Sequence, residues 1–124
     1  MMIKKETGIK RVVNATRYSL QGLLSAWQFE AAFRQECALA LVLIPVAFYL
    51  DVEPWQRVAM VSVLVIVMVV ELLNTAVEAV VDRVGYEHHE LAGRAKDTGS
   101  AAVMVSLALA AYVWAEALWS LWRG

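Results

Sequence analysis

The chain has 124 residues, a formal net charge of −1 and a hydrophobic content of 60%. A soluble domain contains about 45–50% apolar residues, and one this small lacks the interior volume to bury more. The composition therefore favours a single membrane domain over residues 1–124. The small net charge gives no electrostatic support for nucleic-acid binding. The single cysteine, Cys37, excludes an intrachain disulfide.

Residues 7–29 are predicted to form an amphipathic helix. Apolar side chains recur there at three- and four-residue spacing, and the basic residues lie largely outside that stripe. A basic amphipathic helix that also carries Trp and Tyr suits a membrane surface. The alternative is a helix that packs on a soluble core.

Three apolar segments follow, and each is predicted to cross the membrane as a helix: residues about 31–50, 56–83 and 99–122. The first is wholly apolar only over residues 37–50, so it reaches the roughly 20 residues of a crossing when extended back across residues 34–36. A turn is expected at residues 51–54 and a polar loop at residues 86–97. The predicted fold class is all-α integral membrane, with three transmembrane helices and an N-terminal surface helix.

The basic residues predict the orientation. Nine of the 11 Lys and Arg residues lie before the first span or between the second and third spans. The other two are Arg57 and Arg123. Because cytoplasmic loops carry an excess of Lys and Arg, the N-terminus is expected in the cytoplasm and the C-terminus outside.

The second span carries the most informative pattern in the sequence. Glu71, Asn74, Glu78 and Asp82 are separated by three, four and four residues, which places them on one face of a helix. Charged side chains at membrane depth are costly, so they usually face protein or water. Carboxylates a turn or two apart can bind Mg²⁺, and a further carboxylate can serve as a general base.

Other polar residues can join this stripe. Glu30 ends the surface helix and can add a metal ligand, and Lys96 can hold phosphate oxygens. Catalysis, proton or cation transport, and a structural polar network all fit this spacing, which does not decide between them. His88 and His89 fit a solvated loop, and Lys96 with Asp97 can form a surface ion pair. The glycines form no P-loop and no dinucleotide-binding motif.

Four segments together resemble the prokaryotic diacylglycerol kinase family, of the Gram-negative type. They are RYSLQGLLSAW at 17–27, EAAFRQE at 30–36, ELLNTAVEAVVDRVG at 71–85 and HELAGRAKDTGSAAV at 89–103. The resemblance implies a homotrimer in the bacterial inner membrane that transfers phosphate from MgATP to the primary hydroxyl of diacylglycerol, giving phosphatidic acid. Undecaprenol kinase is the alternative among related enzymes. A small ion-coupled membrane transporter is the alternative from a different class.

The resemblance also implies roles for individual residues. Glu71 matches the general base, Glu30 and Glu78 match the metal ligands, and Asn74 matches a residue that orders the site. Positions similar to ATP contacts are Arg11, Tyr18, Glu30, Glu78, Glu87, His88, His89, Lys96 and Asp97. Positions similar to lipid contacts are Arg11, Ala32, Phe33, Arg34, Gln35, Glu36, Glu71, Ser100, Trp114 and Trp119.

Overall fold

The computed structural model describes residues 7–84 and 90–124, and its regular secondary structure in these ranges is entirely α-helical. The helices are α1 (Gly8–Phe29), α2 (Ala31–Tyr49), α3 (Pro54–Val84) and α4 (Glu90–Arg123). Of these, α2, α3 and α4 are long and apolar enough to cross a membrane. The predicted all-α class, with three spanning helices and a preceding N-terminal helix, is confirmed.

The two longest helices exceed the thickness of a bilayer core. At 1.5 Å per residue, the 31 residues of α3 and the 34 residues of α4 extend for about 45 and 50 Å. The hydrocarbon core is only about 30 Å thick. Both helices therefore project beyond it, so they can carry polar residues outside the hydrocarbon without a break in the helix.

The chain changes direction between α1 and α2 at one extended residue, Glu30, with φ −116° and ψ 104°. The Glu30 N–H still donates to the Ala26 carbonyl at 2.9 Å. One turn into α2, Arg34 Nη1 donates to the carbonyls of Trp27 at 2.6 Å and Gln28 at 3.1 Å. These carbonyls lack partners within α1 because they lie in its last turn. Arg34 therefore fixes the junction from which Glu30 projects.

The spanning helices expose much of their apolar surface. Leu41, Val58, Leu73 and Met104 are 77%, 65%, 63% and 66% exposed. A soluble monomer rarely exposes so extensive an apolar surface. Lipid tails or neighbouring protein surfaces can cover these side chains, as the membrane interpretation requires.

The end of the bundle away from Glu30 has a small core. Ala47, Met60 and Ala117 are almost completely buried there, one from each spanning helix. Trp114 Nε1 donates across the core to the Met60 carbonyl at 3.1 Å. The two alanines let α2 and α4 approach α3 closely, as small residues do in many membrane bundles. This core joins α2, α3 and α4 at the end opposite the polar stripe.

Arg57 closes the C-terminal end of α2 from the first turn of α3. Its Nε donates to the Ala47 carbonyl at 3.0 Å and its Nη2 donates to the Leu50 carbonyl at 3.1 Å. Both carbonyls lie where a helix leaves acceptors without intrahelical partners. Arg57 therefore holds the turn between α2 and α3, which covers residues 50–53.

Arg57→Ala is expected to lower the free energy of unfolding by about 2 kcal/mol, because a hydrogen bond from a charged donor contributes about 1.5–3 kcal/mol. The measurement is unfolding by SDS in mixed micelles, followed by the near-ultraviolet circular dichroism of the tryptophans. Arg123→Ala is the control, because Arg123 lies at the end of α4 and its guanidinium carbon is 6.0 Å from the centre of the Trp119 ring. Equal midpoints for wild type and Arg57→Ala would contradict this role.

The fourth helix begins earlier than expected. Residues 86–97 are interpreted as a loop in the sequence analysis, but α4 starts at Glu90. The expectation is wrong for residues 90–97. Most residues of this segment, Glu, Leu, Ala, Arg and Lys, are strong helix formers, so its polar character does not prevent a helix. The segment also lies beside the last turns of α3, where Lys96 pairs with Asp82.

Candidate active site

The first two residues of the polar stripe on α3 are buried against the neighbouring helices. Glu71 and Asn74 are only 5% and 8% exposed. Asn74 Nδ2 donates a hydrogen bond to Glu78 Oε1 at 3.2 Å, one helical turn further on. This part of the stripe therefore faces protein, as expected for charged groups at membrane depth.

Carboxylates from three other positions gather near Glu71. Glu71 interacts electrostatically with Glu78 and with Glu30, and Glu36 interacts electrostatically with Glu71. Like charges repel strongly in a poorly solvated environment. A cation at this cluster would therefore relieve the repulsion among these carboxylates. The junction between α1 and α2 places Glu30 at this cluster, and the first turns of α2 place Glu36.

The geometry of α3 gives the depth of the cluster in a bilayer. If Trp55 anchors the opposite interface, a hydrocarbon core of about 30 Å covers about 20 residues of helix and ends near Thr75. Glu71 then lies just inside the hydrocarbon. Glu78 and Asp82 lie beyond it, among headgroups and water. One helix face therefore connects the lipid phase to the aqueous phase.

Lys96, on α4, lies beside the more exposed end of the polar stripe on α3. Its Nζ lies 2.6 Å from Asp82 Oδ1, and both side chains remain about half exposed. Lys96 also interacts electrostatically with Glu78. An ammonium group has three donors, so the ion pair leaves others for a second anion. Lys96 thus pairs with Asp82 across two helices, whereas the next residue, Asp97, is exposed.

These residues fit a magnesium ion that is held jointly with a nucleotide. Within residues 7–84 and 90–124, no group of three or more His, Cys, Asp and Glu residues is placed to hold a metal ion by itself. Mg²⁺ in kinase sites usually takes only one or two carboxylates and completes its coordination with phosphate oxygens and water. Glu30 and Glu78 both interact with Glu71, so two carboxylates from different elements are available.

The predicted lipid contacts on α2 lie near the same end of the bundle. Phe33 is 4% exposed and packs inside the protein, and Arg34 is engaged with the last carbonyls of α1. Glu36 Oε2 is buried and has no hydrogen-bond partner among the described residues. The predicted contacts at this end of the molecule are Ala32, Phe33, Arg34, Gln35, Glu36 and, on α4, Ser100.

The two predicted tryptophan contacts lie towards the other end. Trp114 binds the Met60 carbonyl, about three turns or roughly 16 Å along α3 from Glu71. Trp119 lies further along α4 and is half exposed. The structure does not bring these rings to the carboxylates. If the headgroup of a lipid lies at Glu71, only an acyl chain of that lipid is long enough to reach these two rings.

The α1 residues predicted to contact ATP lie away from the carboxylates of their own chain. Arg11 is about 28 Å along the helix axis from Glu30. Tyr18 is 60% exposed and has the Arg17 guanidinium 5.4 Å from its ring centre. Arg11 therefore cannot reach the cluster of its own chain. The remaining predicted ATP contacts, Glu87, His88 and His89, lie outside the described residues.

Two further residues lie near the stripe: Thr75, which the helical periodicity places beside it, and Gly99, which the sequence pattern does not single out. Thr75 Oγ1 is buried without a hydrogen-bond partner among the described residues. Gly99, on α4, lies directly against the Asn74 side chain. The available signal for Gly99 is a glycine inside an otherwise helical segment, which often marks close packing.

The fold and this cluster define a small helical membrane protein with an acidic site near one end of its bundle. The chain belongs to the prokaryotic diacylglycerol kinase family, whose model matches residues 17–118. It is 50% identical over 119 residues to the diacylglycerol kinase of Escherichia coli K12, covering 96% of this chain and 98% of that protein. It is 53% identical over 115 residues to the diacylglycerol kinase of Pseudomonas aeruginosa, covering 93% of this chain and 94% of that protein.

Proposed function

We propose that the protein transfers the γ-phosphoryl group of MgATP to the primary hydroxyl of diacylglycerol, forming phosphatidic acid and ADP. The observation that carries this proposal is the buried Glu71, which lies on a helix face that continues into a more exposed polar stripe. Such a face lets a lipid hydroxyl and a water-soluble nucleotide approach the same carboxylate from opposite sides. Membership of the diacylglycerol kinase family supports the choice of lipid.

Glu71 is the proposed general base. The hydroxyl oxygen of diacylglycerol attacks the γ-phosphorus while the bond from that phosphorus to the β–γ bridging oxygen breaks. The hydroxyl proton passes to the Glu71 carboxylate, and ADP leaves. Glu71 suits this role because its side chain is 5% exposed and its depth matches the hydroxyl of a lipid anchored in the bilayer.

Glu30 and Glu78 are the proposed ligands of the Mg²⁺ that accompanies ATP. The ion would neutralise charge on the β- and γ-phosphates. The hydrogen bond from Asn74 to Glu78 orients one ligand, which is the role expected of Asn74. Lys96 has donors left for phosphate oxygens beyond its pairing with Asp82, and Asp97 lies beside it. Phosphatidic acid and ADP would leave towards the bilayer and the water, respectively.

We further infer that the protein is a homotrimer with sites shared between subunits, in a bacterial inner membrane and with a cytoplasmic N-terminus. The separation of about 28 Å between Arg11 and Glu30 supports sharing, because Arg11 cannot reach the carboxylates of its own chain. The largely exposed apolar faces of α2 to α4 provide surface for such an assembly. The excess of Lys and Arg around the polar end supports the orientation.

The test is transfer of labelled γ-phosphate from MgATP to diacylglycerol by the purified protein in mixed micelles. Labelled phosphatidic acid is expected to form, and activity is expected to fall to background when EDTA removes Mg²⁺. Excess Mg²⁺ should then restore the rate, because the carboxylates require a cation between themselves and the phosphates.

Two parallel measurements separate the alternatives. Undecaprenol is offered as the acceptor under the same conditions, and solute uptake is measured in proteoliposomes without ATP. Faster phosphorylation of undecaprenol would contradict the assignment of diacylglycerol as the acceptor. Uptake in the absence of any kinase activity would contradict phosphoryl transfer altogether and favour ion-coupled transport.

A further inference from the structure

The helices α3 and α4 approach each other closely at Gly99 and Asn74. A Cβ atom built on Gly99 would overlap Asn74 Oδ1, and it would lie 3.2 Å from Asn74 Cγ. Gly22 and Gly93 also lie inside helices, but a Cβ built on either of them meets nothing within 4 Å. Of these three glycines, only Gly99 occupies space that a side chain could not share.

This contact fixes which way the Asn74 amide points. The Asn74 side chain is more than nine-tenths buried, and its Oδ1 has no hydrogen-bond partner among the described residues. The oxygen lies against the bare α-carbon of Gly99, while Nδ2 donates to Glu78 Oε1. A methyl group at position 99 would displace the amide and so break or redirect the hydrogen bond to Glu78.

We propose that Gly99 is a positioning residue for the phosphoryl-transfer site, a role that rests on the proposed function. Because Gly99 leaves room for the Asn74 amide, Asn74 Nδ2 keeps its hydrogen bond to Glu78. The Glu78 carboxylate is then held in a fixed orientation towards the nucleotide-bound cation. Groups that orient a metal ligand commonly change metal affinity by about 10–100-fold when they are removed. Gly99 would act on the metal ligand Glu78 indirectly, through the Asn74 side chain.

The experiment measures Mn²⁺ binding by electron paramagnetic resonance in the presence of a non-hydrolysable ATP analogue. Gly99→Ala and Asn74→Ala are each expected to weaken Mn²⁺ binding by about 10–100-fold. The double variant should bind no more weakly than Asn74→Ala, because the methyl group then has no amide to displace. Gly93→Ala is the matched control, with the same added methyl group on the same helix in open space, and it should bind as wild type does.

Kinase activity provides a second measurement, which separates a failure of this inference from a failure of the proposed function. In Gly99→Ala, the Mg²⁺ concentration for half-maximal kinase activity should rise in proportion to the loss of Mn²⁺ affinity, whereas KM for diacylglycerol stays within about twofold. Failure of wild type to phosphorylate diacylglycerol while it binds Mn²⁺ with the nucleotide analogue would overturn only the proposed function. Wild type that binds no Mn²⁺ would overturn this inference.

Unfolding separates positioning from a general packing defect. Gly99→Ala alone should lower the SDS midpoint, and removal of the amide in the double variant should restore it. If Gly99→Ala does not fold, the double variant is expected to fold. Equal Mn²⁺ affinities for Gly99→Ala and wild type would overturn the proposal. The proposal would also be overturned if Gly99→Ala weakened Mn²⁺ binding as strongly in the Asn74→Ala variant as it does in wild type.

Discussion

Glu71→Gln is expected to lower kcat for phosphate transfer to diacylglycerol by about 10²–10⁴-fold, the usual contribution of a general base. Glutamine preserves the size of the side chain but cannot accept the hydroxyl proton. The site is buried, and water there is too scarce to replace the base. The measurement is the initial rate of labelled phosphatidic acid formation at saturating MgATP and diacylglycerol.

Glu116→Gln is the matched control for this experiment. Glu116 is also a carboxylate on a spanning helix, but it is exposed and lies in the half of α4 that includes Trp114. The same neutralisation there should leave the rate within about twofold of wild type, as most surface substitutions have small effects. A Glu71→Gln protein that keeps more than a tenth of the wild-type rate would show that another group takes the proton.

The spanning helices were predictable because their signal is local. Long apolar stretches, interrupted by the turn at residues 51–54, require only composition and length to interpret. The stripe of Glu71, Asn74 and Glu78 follows from the 3.6-residue period of a helix. Its burial could also be expected, since charged groups at that depth avoid lipid.

Features that depend on contacts between helices were not predictable in the same way. The start of α4 at Glu90 is a different case, because residues 90–97 are mostly strong helix formers and the local sequence already favours a helix there. The partner of Lys96 is Asp82 on α3, although Asp97 is adjacent in sequence. The contact between Gly99 and Asn74 requires the register of two helices, and no periodicity within a single helix specifies that register.

When two inactive variants form mixed oligomers, activity is expected to recover only under one condition. The two substitutions must affect parts of the site that come from different subunits. Arg11 cannot reach Glu71 in its own chain, because it lies about 28 Å along α1 from the junction at Glu30. Arg11→Ala is therefore expected to damage the site of a neighbouring subunit. In trimers that contain both Arg11→Ala and Glu71→Gln chains, about one site in three should be intact.

Glu71→Gln mixed with Glu78→Gln is the contrasting pair. Glu71 and Glu78 lie on the same face of one helix and interact electrostatically within one chain, so every site in the mixture carries one lesion or the other. The two lesions should not complement each other at any ratio.

The chains carry different affinity tags, and only oligomers that retain both tags are assayed for phosphate transfer. Recovery in the first pair alone would establish that α1 completes the site of a neighbour. Equal recovery in both pairs would require a different exchange of elements, and recovery in neither would place each site within one chain.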